Sequence, residues 1–517
     1  MVFRVIKSIF KSAGEGIKQD KELIKVKNRF PKTFSFIKKR LTPDEKMGLG
    51  LTIGILVFFI FIYLFLVALN GFFAQDVWVM TDLRILNVIK EFRNPALDEL
   101  MILVTTFGKK EVVIVGSISV ALTLFMIKRW YYTISLGVSL LFGEVLVYFL
   151  KNSIERPRPP IDLALLKETG FSFPSSHAFT AVSFYGMICY FIFRGVKRRR
   201  VKLPILFILT ISIMLIGASR VYLGVHWASD VFAGLVSGIA WVNLVITFFE
   251  IRRKSDPKPK SKLRFASRKL KIASAVLLSV WLITVYFFYN QKSNEKIKPQ
   301  PSVDSGSIAV SEEEFTKDPF MGLPKMSEKI SGDSMEPIHI IVIGSQDDLF
   351  KAFKKIGWFA CDPLNGKSLK KNVYSMLTNS PYPEAPGVPS IWRAVPNKIS
   401  FEKPTEANSI RERHHIHFWD TGRFIAEKGR EDGRIWFATA HFDTTINMGS
   451  SVFLPVHKID PAIDNERQII REDLQSSKSV EKMETIQAVK PSLGTNQSGD
   501  LFFTDGKAEV IFLETKK

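Results

Sequence analysis

Between Gly48 and Tyr289 the chain is a succession of apolar runs separated by short basic loops, and no other feature limits its fold as much. A helix needs about 20 mostly apolar residues to cross the hydrocarbon core of a bilayer. Seven runs approach or exceed that length, the shorter ones having flanks mild enough to extend them: Gly48–Phe72, Val112–Ile127, Ile134–Leu150, Ala178–Phe193, Pro204–Ala218, Val231–Phe249 and Ile272–Tyr289. They are apolar nearly all round, whereas a buried helix of a soluble protein keeps a polar face at helical spacing. From Asn290 onward the chain turns polar and mixed. A membrane half and a soluble half are expected.

The net charge of +21 would attract phosphates, nucleic acid included. Its placement argues against nucleic acid as a partner. The basic residues gather in the tail before Gly48, at Lys128–Arg129, in Lys197–Lys202 and in Arg252–Lys271, which fall on one side of the membrane if the runs alternate. The positive-inside rule makes that side cytoplasmic. The opposite side receives Phe73–Glu111, Lys151–Ser176, Arg220–Ser229 and everything after Tyr289. Within Phe73–Glu111, the residues Leu83, Leu86, Ile89, Lys90 and Arg93 trace an amphipathic helix expected to lie on the membrane surface. The two cysteines, Cys189 and Cys361, fall in different halves, so no disulfide is expected. The N-terminus lacks the short apolar core and cleavage site of a secretory signal, so the first run should stay in place.

Ionisable residues gather at the outer ends of the middle runs: Lys151, Arg158, His177, Arg220, His226 and Asp230. Headgroup anchoring explains a lysine or an arginine there, but not two histidines and an aspartate arriving with them. Lys151 is followed by six residues and Arg158-Pro159, then by Pro174-Ser175-Ser176-His177. Ser219-Arg220 is followed by five residues, His226, three more and Asp230. This spacing resembles the K-x6-RP, PSGH and SR-x5-H-x3-D signature of the type-2 phosphatidic acid phosphatase (PAP2) superfamily. Ten matched positions arise by chance with odds on the order of 10⁻¹³ per placement, at average residue frequencies. The signature's glycine is Ser176 here, which is tolerable unless that position demands a positive φ. The superfamily also contains soluble vanadate-dependent haloperoxidases; the apolar runs point to its lipid-phosphatase branch.

The residues make chemical sense in these roles. His226 and Asp230, at i and i+4, share a helix face. The carboxylate can take a hydrogen bond from one ring nitrogen and leave the other free to attack phosphorus, giving a phosphohistidine intermediate. His177 is placed to protonate the leaving oxygen and then to activate water. Lys151, Arg158 and Arg220 would surround the phosphate. Pro174-Ser175-Ser176 reads as a helix start whose free N–H groups bind anions, with Ser175 donating its hydroxyl and Ser176 its backbone. The resemblance implies the same roles. No acidic cluster with metal-ligand spacing accompanies the signature, so neither a metal nor another cofactor is expected.

In the polar half, Ile338–Ile343, His414–Phe418, Ile435–His441 and Ser451–His457 read as strands and Asp347–Ile356 as a helix, an α+β domain. Arg413-His414-His415-Ile416-His417, Trp436–Asp443 and His457–Arg467 resemble the LssY-type C-terminal domain. His415 and His417 share a strand face, and His441, Asp443, His457, Asp460 and Asp464 could join them. Such pairs fit a polar patch or a hydrogen-bonded cluster better than a metal site, and none is assigned.

The fold expected is an all-α multi-pass membrane bundle of six core spans plus a seventh, followed by a soluble α+β domain. Its parts are a basic tail (1–47), a PAP2-like domain (48–250), a basic loop (251–271), a last span (272–289), a linker (290–336), the LssY-like domain (337–474) and a partly disordered tail (475–517) with a strand-like run at Leu501–Leu513. The function expected is hydrolysis of a phosphomonoester or diphosphate lipid at the outer face of a bacterial inner membrane. Undecaprenyl diphosphate comes first, with phosphatidic acid and lipid A types open. A lipid phosphotransferase sharing the intermediate, or a membrane-anchored scaffold recognising a protein partner, are the rivals.

Overall fold

The computed structural model describes residue 25 and residues 28–41, 48–73, 77–255, 268–297, 308–407, 409–427, 430–448 and 455–514. Most of the basic tail, the centre of the basic loop before the last span and part of the linker lie outside the described residues. The membrane half is helical throughout: α1 (Pro31–Leu41), α2 (Leu49–Phe73), α3 (Val77–Glu91), α4 (Pro95–Thr106), α5 (Lys110–Met126), α6 (Trp130–Ile154), α7 (Ser176–Gly195), α8 (Arg199–Tyr222), α9 (Ala228–Ser255) and α10 (Arg268–Asn294). Six of these (α2, α6, α7, α8, α9 and α10) are long and apolar enough to cross a membrane. Their outward faces keep large apolar side chains bare, with Leu141 66%, Phe207 67% and Ile283 67% exposed, as lipid-facing residues require. The chain is a multi-pass membrane protein.

The run expected at Val112–Ile127 forms α5, which has 17 residues. At 1.5 Å per residue it reaches about 25 Å, a little short of the hydrocarbon core. It is held to α10 by Trp281 Nε1 donating to Val112 O at 3.0 Å and Ser119 Oγ to Leu277 O at 3.2 Å.

The amphipathic stretch in Phe73–Glu111 forms the helix α3, which packs into protein with Leu86 1%, Asp82 2% and Arg84 6% exposed. Two charges buried on one helix need partners, and both find them. Asp82 faces the membrane bundle, and Arg84 reaches Glu328 of the soluble half at 2.7 Å. Asn87 Nδ2 adds a bond to Ala394 O at 2.8 Å. So α3 is a joint between the halves.

The soluble half is built on a nine-stranded sheet. Its spine runs β12 (Val480–Gln487), β15 (Lys507–Leu513), β4 (Ile340–Ile343), β10 (Arg430–Met448), β9 (Arg413–Glu427), β8 (Ile399–Pro404) and β5 (Phe359–Ala360). β1 (Ile308–Val310) pairs with β9, and β11 (Pro455–Ile459) with β10. One face packs on the helices α12 (Gln346–Lys355) and α14 (Asp464–Ser476) through Ile416, Phe418, Trp436, Ala438, Phe353 and Ile470. The other face buries Trp419, Phe437, Phe320 and Trp392, roofed in part by a small sheet of β2 (Met326–Glu328), β3 (Ser334–Pro337), β6 (Ile391–Trp392) and β7 (Val395–Pro396). In the tail after residue 474, the strand-like run read at Leu501–Leu513 contains β15, which pairs parallel with β4 and antiparallel with β12, placing Val510 and Ile511 (2% and 0% exposed) in the core; β12 itself falls in the part expected to be poorly ordered. The linker likewise contributes β1, β2 and β3. Short strands flanked by Ser, Lys and Glu carry a weak local signal, and only their pairing across the sheet gives them partners.

Candidate active site

Five chain segments bring the signature residues to the same end of the bundle. Lys151 lies in the last turn of α6, Arg158 in the loop beyond it, His177 in the first turn of α7, Arg220 in the last turn of α8, and Asp230 in the first turn of α9, with His226 in the loop between. Close approach of α9 to the start of α7 depends on Gly234, where a Cβ would stand 2.6 Å from Ser175 O.

His226 is 1% exposed and oriented from both sides. Its Nδ1 lies 3.3 Å from Asp230 Oδ2, and its Nε2 lies 3.3 Å from Arg158 Nη1. Arg158 is itself pinned by donating to Val225 O at 2.7 Å, Gly170 O at 2.9 Å and Thr169 O at 3.1 Å. Burial, and then Arg220, Arg158 and Lys151, hold the His226 imidazole well below the ordinary histidine pKa. A neutral ring with a lone pair aimed at a cationic recess is what attack on an anion requires.

Around that ring lie polar atoms with no protein partner. Ser175 Oγ, His177 Nε2 and Arg220 Nε are all buried without a hydrogen bond. Unpaired buried polar atoms are rare because each forfeits its hydration. With Lys151 and Arg158 close to the same ring, these three make a recess suited to a polyanion. Lys151 Nζ donates to Phe171 O at 2.6 Å and Ser172 O at 3.3 Å, which holds it beside the loop leading to Ser175. Ser176 opens α7 with ordinary helical backbone and is not among the residues with positive φ, so the departure from the signature glycine carries no strain.

Several participants had escaped the sequence reading. Arg156, 3% exposed, donates to Asp230 Oδ1 at 2.7 Å, Ser229 Oγ at 2.7 Å and Asp82 Oδ2 at 2.8 Å. Its guanidinium sits over the rings of Phe72 and Trp227, at 5.1 and 5.6 Å from their centroids. Asp82 also accepts from Ser229 N at 2.9 Å and contacts Ser229 Oγ closely. A buried relay Asp82–Arg156–Asp230–His226 thus runs from the inter-domain joint to the imidazole. Glu168 takes Arg220 Nη2 at 2.9 Å and Lys292 Nζ at 3.0 Å, while Thr105 Oγ1 accepts from Arg220 Nη1 at 2.9 Å. Arg220 and Lys292 hold the Glu168 carboxyl well below its usual range even though burial pushes it up. The available signal was slight: a second arginine two positions before Arg158, and an aspartate in the middle of a mostly apolar helix.

Comparison with known proteins follows this geometry. The model of the PAP2 superfamily matches residues 132–254, and that of the LssY C-terminus matches residues 320–508. Phosphatidylglycerophosphatase B of Bacillus subtilis (strain 168) is 36% identical over 167 residues, which cover 31% of this chain and 78% of that protein. The chain belongs to the PAP2 superfamily. It is thereby a phosphoric-ester hydrolase by class, with an LssY-type domain joined behind its membrane unit. Dolichyldiphosphatase 1 of Dictyostelium discoideum is 34% identical over 123 residues, covering 23% of this chain and 52% of that protein. Among solved structures, a transmembrane PAP2-type phosphatidylglycerolphosphate phosphatase from Bacillus subtilis aligns with 28% identity, 40% of this chain, 98% of its own and a TM-score of 0.34. LpxE of Aquifex aeolicus aligns with 28% identity, 31% and 92% coverage and a TM-score of 0.27.

Proposed function

We propose that this PAP2 protein removes phosphate from a phosphomonoester or diphosphate lipid at the outer face of the membrane, without a metal, through a phosphohistidine on His226. The observation that carries the reading is the His226 imidazole, held between Asp230 and Arg158 and facing the unpartnered Ser175, His177 and Arg220 atoms. In this mechanism Nε2 attacks phosphorus, and the P–O bond to the leaving group breaks as His177 delivers a proton to the departing oxygen. Water, activated by the now neutral His177, then cleaves the P–N bond and releases phosphate. Lys151, Arg158 and Arg220 stabilise the charge that spreads over the equatorial oxygens, aided by the Ser175 hydroxyl and the backbone N–H of Ser176. A cradle already lined by three cationic side chains supports chemistry that needs no divalent ion.

The orientation rests on the basic loops, which place the opposite ends of the spans, where the site lies, away from the cytoplasm. A bacterial inner membrane is the setting this implies. The named relatives act on phosphatidylglycerophosphate and dolichyl diphosphate, a glycerophospholipid and a polyprenyl diphosphate. Undecaprenyl diphosphate is the first substrate to try, before phosphatidic acid, phosphatidylglycerophosphate and lipid A.

The test is phosphate release by detergent-purified protein from that lipid panel, comparing wild type with His226→Ala. Release by wild type that the substitution abolishes is expected. Release at the wild-type rate by His226→Ala would refute the nucleophile, and release only with added Mg²⁺ would refute the metal-independent chemistry.

A further inference from the structure

A second buried polar cluster lies in the LssY-type domain, far along the chain from the phosphatase signature. It is laid down by sheet register. In β9, His415 and His417 point to one face; β10 places His441 directly opposite His415 and Thr439 opposite His417. On the other side, β8 places Glu402 opposite His415 and Ser400 opposite His417. Two adjacent strands thus put three imidazoles on one face, with β8 flanking them, and one nitrogen from each lies within 4.8 Å of the other two.

The cluster is neither a surface patch nor a satisfied hydrogen-bond network. His415 and His417 are each 3% exposed. Gly387 closes directly over His415, where a Cβ would stand 2.3 Å from Cε1. His415 Nε2, His441 Nδ1, Glu336 Oε2, Glu402 Oε1 and Thr439 Oγ1 are buried without a hydrogen-bond partner. Native interiors rarely leave so many polar atoms unpaired in one place.

One outer contact is a hydrogen bond of the kind metal-bound histidines make, one nitrogen turned to an oxygen and the other left for the ion, and the remaining ring nitrogens stand near carboxylates without bonding them. His417 Nδ1 meets Ser400 Oγ at 2.9 Å. His415 Nδ1 lies 3.8 Å from Asp443 Oδ2 and 3.9 Å from Glu402 Oε1, and His441 Nδ1 lies 3.5 Å from Glu336 Oε2. Glu336, Glu402 and Asp443, each at most 2% exposed, stand around the triad, and Arg413 pairs with Glu402 at 2.6 Å and with Asp443 at 3.3 Å.

We infer that His415, His417 and His441 bind one divalent transition-metal ion of the zinc class. Imidazole nitrogens suit such ions, and three protein ligands leave a fourth position for water or a ligand. Asp443, 3.6 Å from His441 Nε2, stands beside the triad. Glu402 and Arg413 also line a small surface pocket with Tyr382 and Ile410, which brings solvent to the edge of the cluster.

The test uses the full chain in detergent, stripped with chelator, incubated with Zn²⁺, desalted and analysed for bound zinc. About one zinc per wild-type chain is expected. The near-isosteric His417→Gln and His415→Gln changes should each lower retained zinc at least fivefold, while circular dichroism stays that of wild type. His414→Gln, on the opposite face of β9, should keep it. Wild type retaining no more zinc than the double variant His415→Gln/His417→Gln would overturn the site. So would zinc that survives His417→Gln but is lost in Cys361→Ser, because Cys361, Glu402 and His415 bring donors equally close. The readout is metal content, so it stands whatever His226→Ala does to phosphate release.

Discussion

The relay from α3 to the imidazole predicts that Asp82→Ala damages an active site it does not touch. Asp82 and Arg156 have side chains 3% exposed and lie 2.8 Å apart. Removing one member of a buried pair costs about 3–5 kcal/mol, chiefly because the other charge is left uncompensated. Arg156 keeps Asp230 at 2.7 Å, so the lower end applies, about 3 kcal/mol. At roughly 2–4 °C per kcal/mol for a domain of this size, the midpoint of thermal unfolding should fall by about 6–12 °C. Activity should fall as well. An Arg156 released from Asp82 pulls on the Asp230 carboxylate alone and shifts it against His226 Nδ1, and a displacement near 1 Å can cost about 10²-fold in rate. The assay is a thermodynamic cycle of Asp82→Ala, Arg156→Met and the double variant, read by thermal unfolding in detergent and by kcat for phosphate release. The double variant should be no worse than Arg156→Met alone, because Asp82 without Arg156 is itself an unpaired buried charge. Additive losses, or an Asp82→Ala protein with unchanged midpoint and kcat, would refute the relay.

Two further outcomes follow from the same geometry. The His226 pKa lies below the ordinary histidine value of 6.5, so the folded protein refuses a proton that the unfolded chain accepts; this contribution to stability is present above pH 6.5 and is lost as pH falls through the folded value. The acidic limb of the kcat/KM profile should therefore lie below pH 6.5, and a limb at or above that value would contradict it. Gly234→Ala should force α9 away from α7, since its Cβ would meet Ser175 O at 2.6 Å and Ala178 Cβ at 3.0 Å. A loss of about 1–3 kcal/mol and a lowered kcat are expected, and a wild-type unfolding midpoint would argue against that packing.

Much of the candidate site was legible because its residues are locked to chain spacing. His226 and Asp230 meet because only three residues separate them, although His226 lies in the loop before α9 and not on its first turn, and Lys151 and Arg158 flank the end of one span. Arg156 and Asp82 were not legible, since 74 residues separate them and each taken alone reads as an ordinary surface charge. In the soluble half, Ile338–Ile343 and Ile435–His441 were strong β-branched or apolar strand signals and reappear as β4 and part of β10. The part between residue 474 and Leu501 read as loose because β12 (Val480–Gln487) is mostly charged and polar with no period-2 pattern, and only pairing with β15 gives it a place in the sheet.

What the sequence determined by itself was the apolar spans of the membrane half and the spacing of the signature residues, because apolar length and residue spacing are local properties that a bilayer or a helix reads directly. The tertiary structure alone decided the rest. It buried Asp82 and Arg84 on opposite errands of one helix, one to Arg156 and through it toward Asp230, the other to the LssY-type domain. It also set His441 across from His415. Such pairings are fixed by strand register and helix packing between segments remote in the chain, where desolvated charges must find partners and sequence spacing carries no trace of which partner that is.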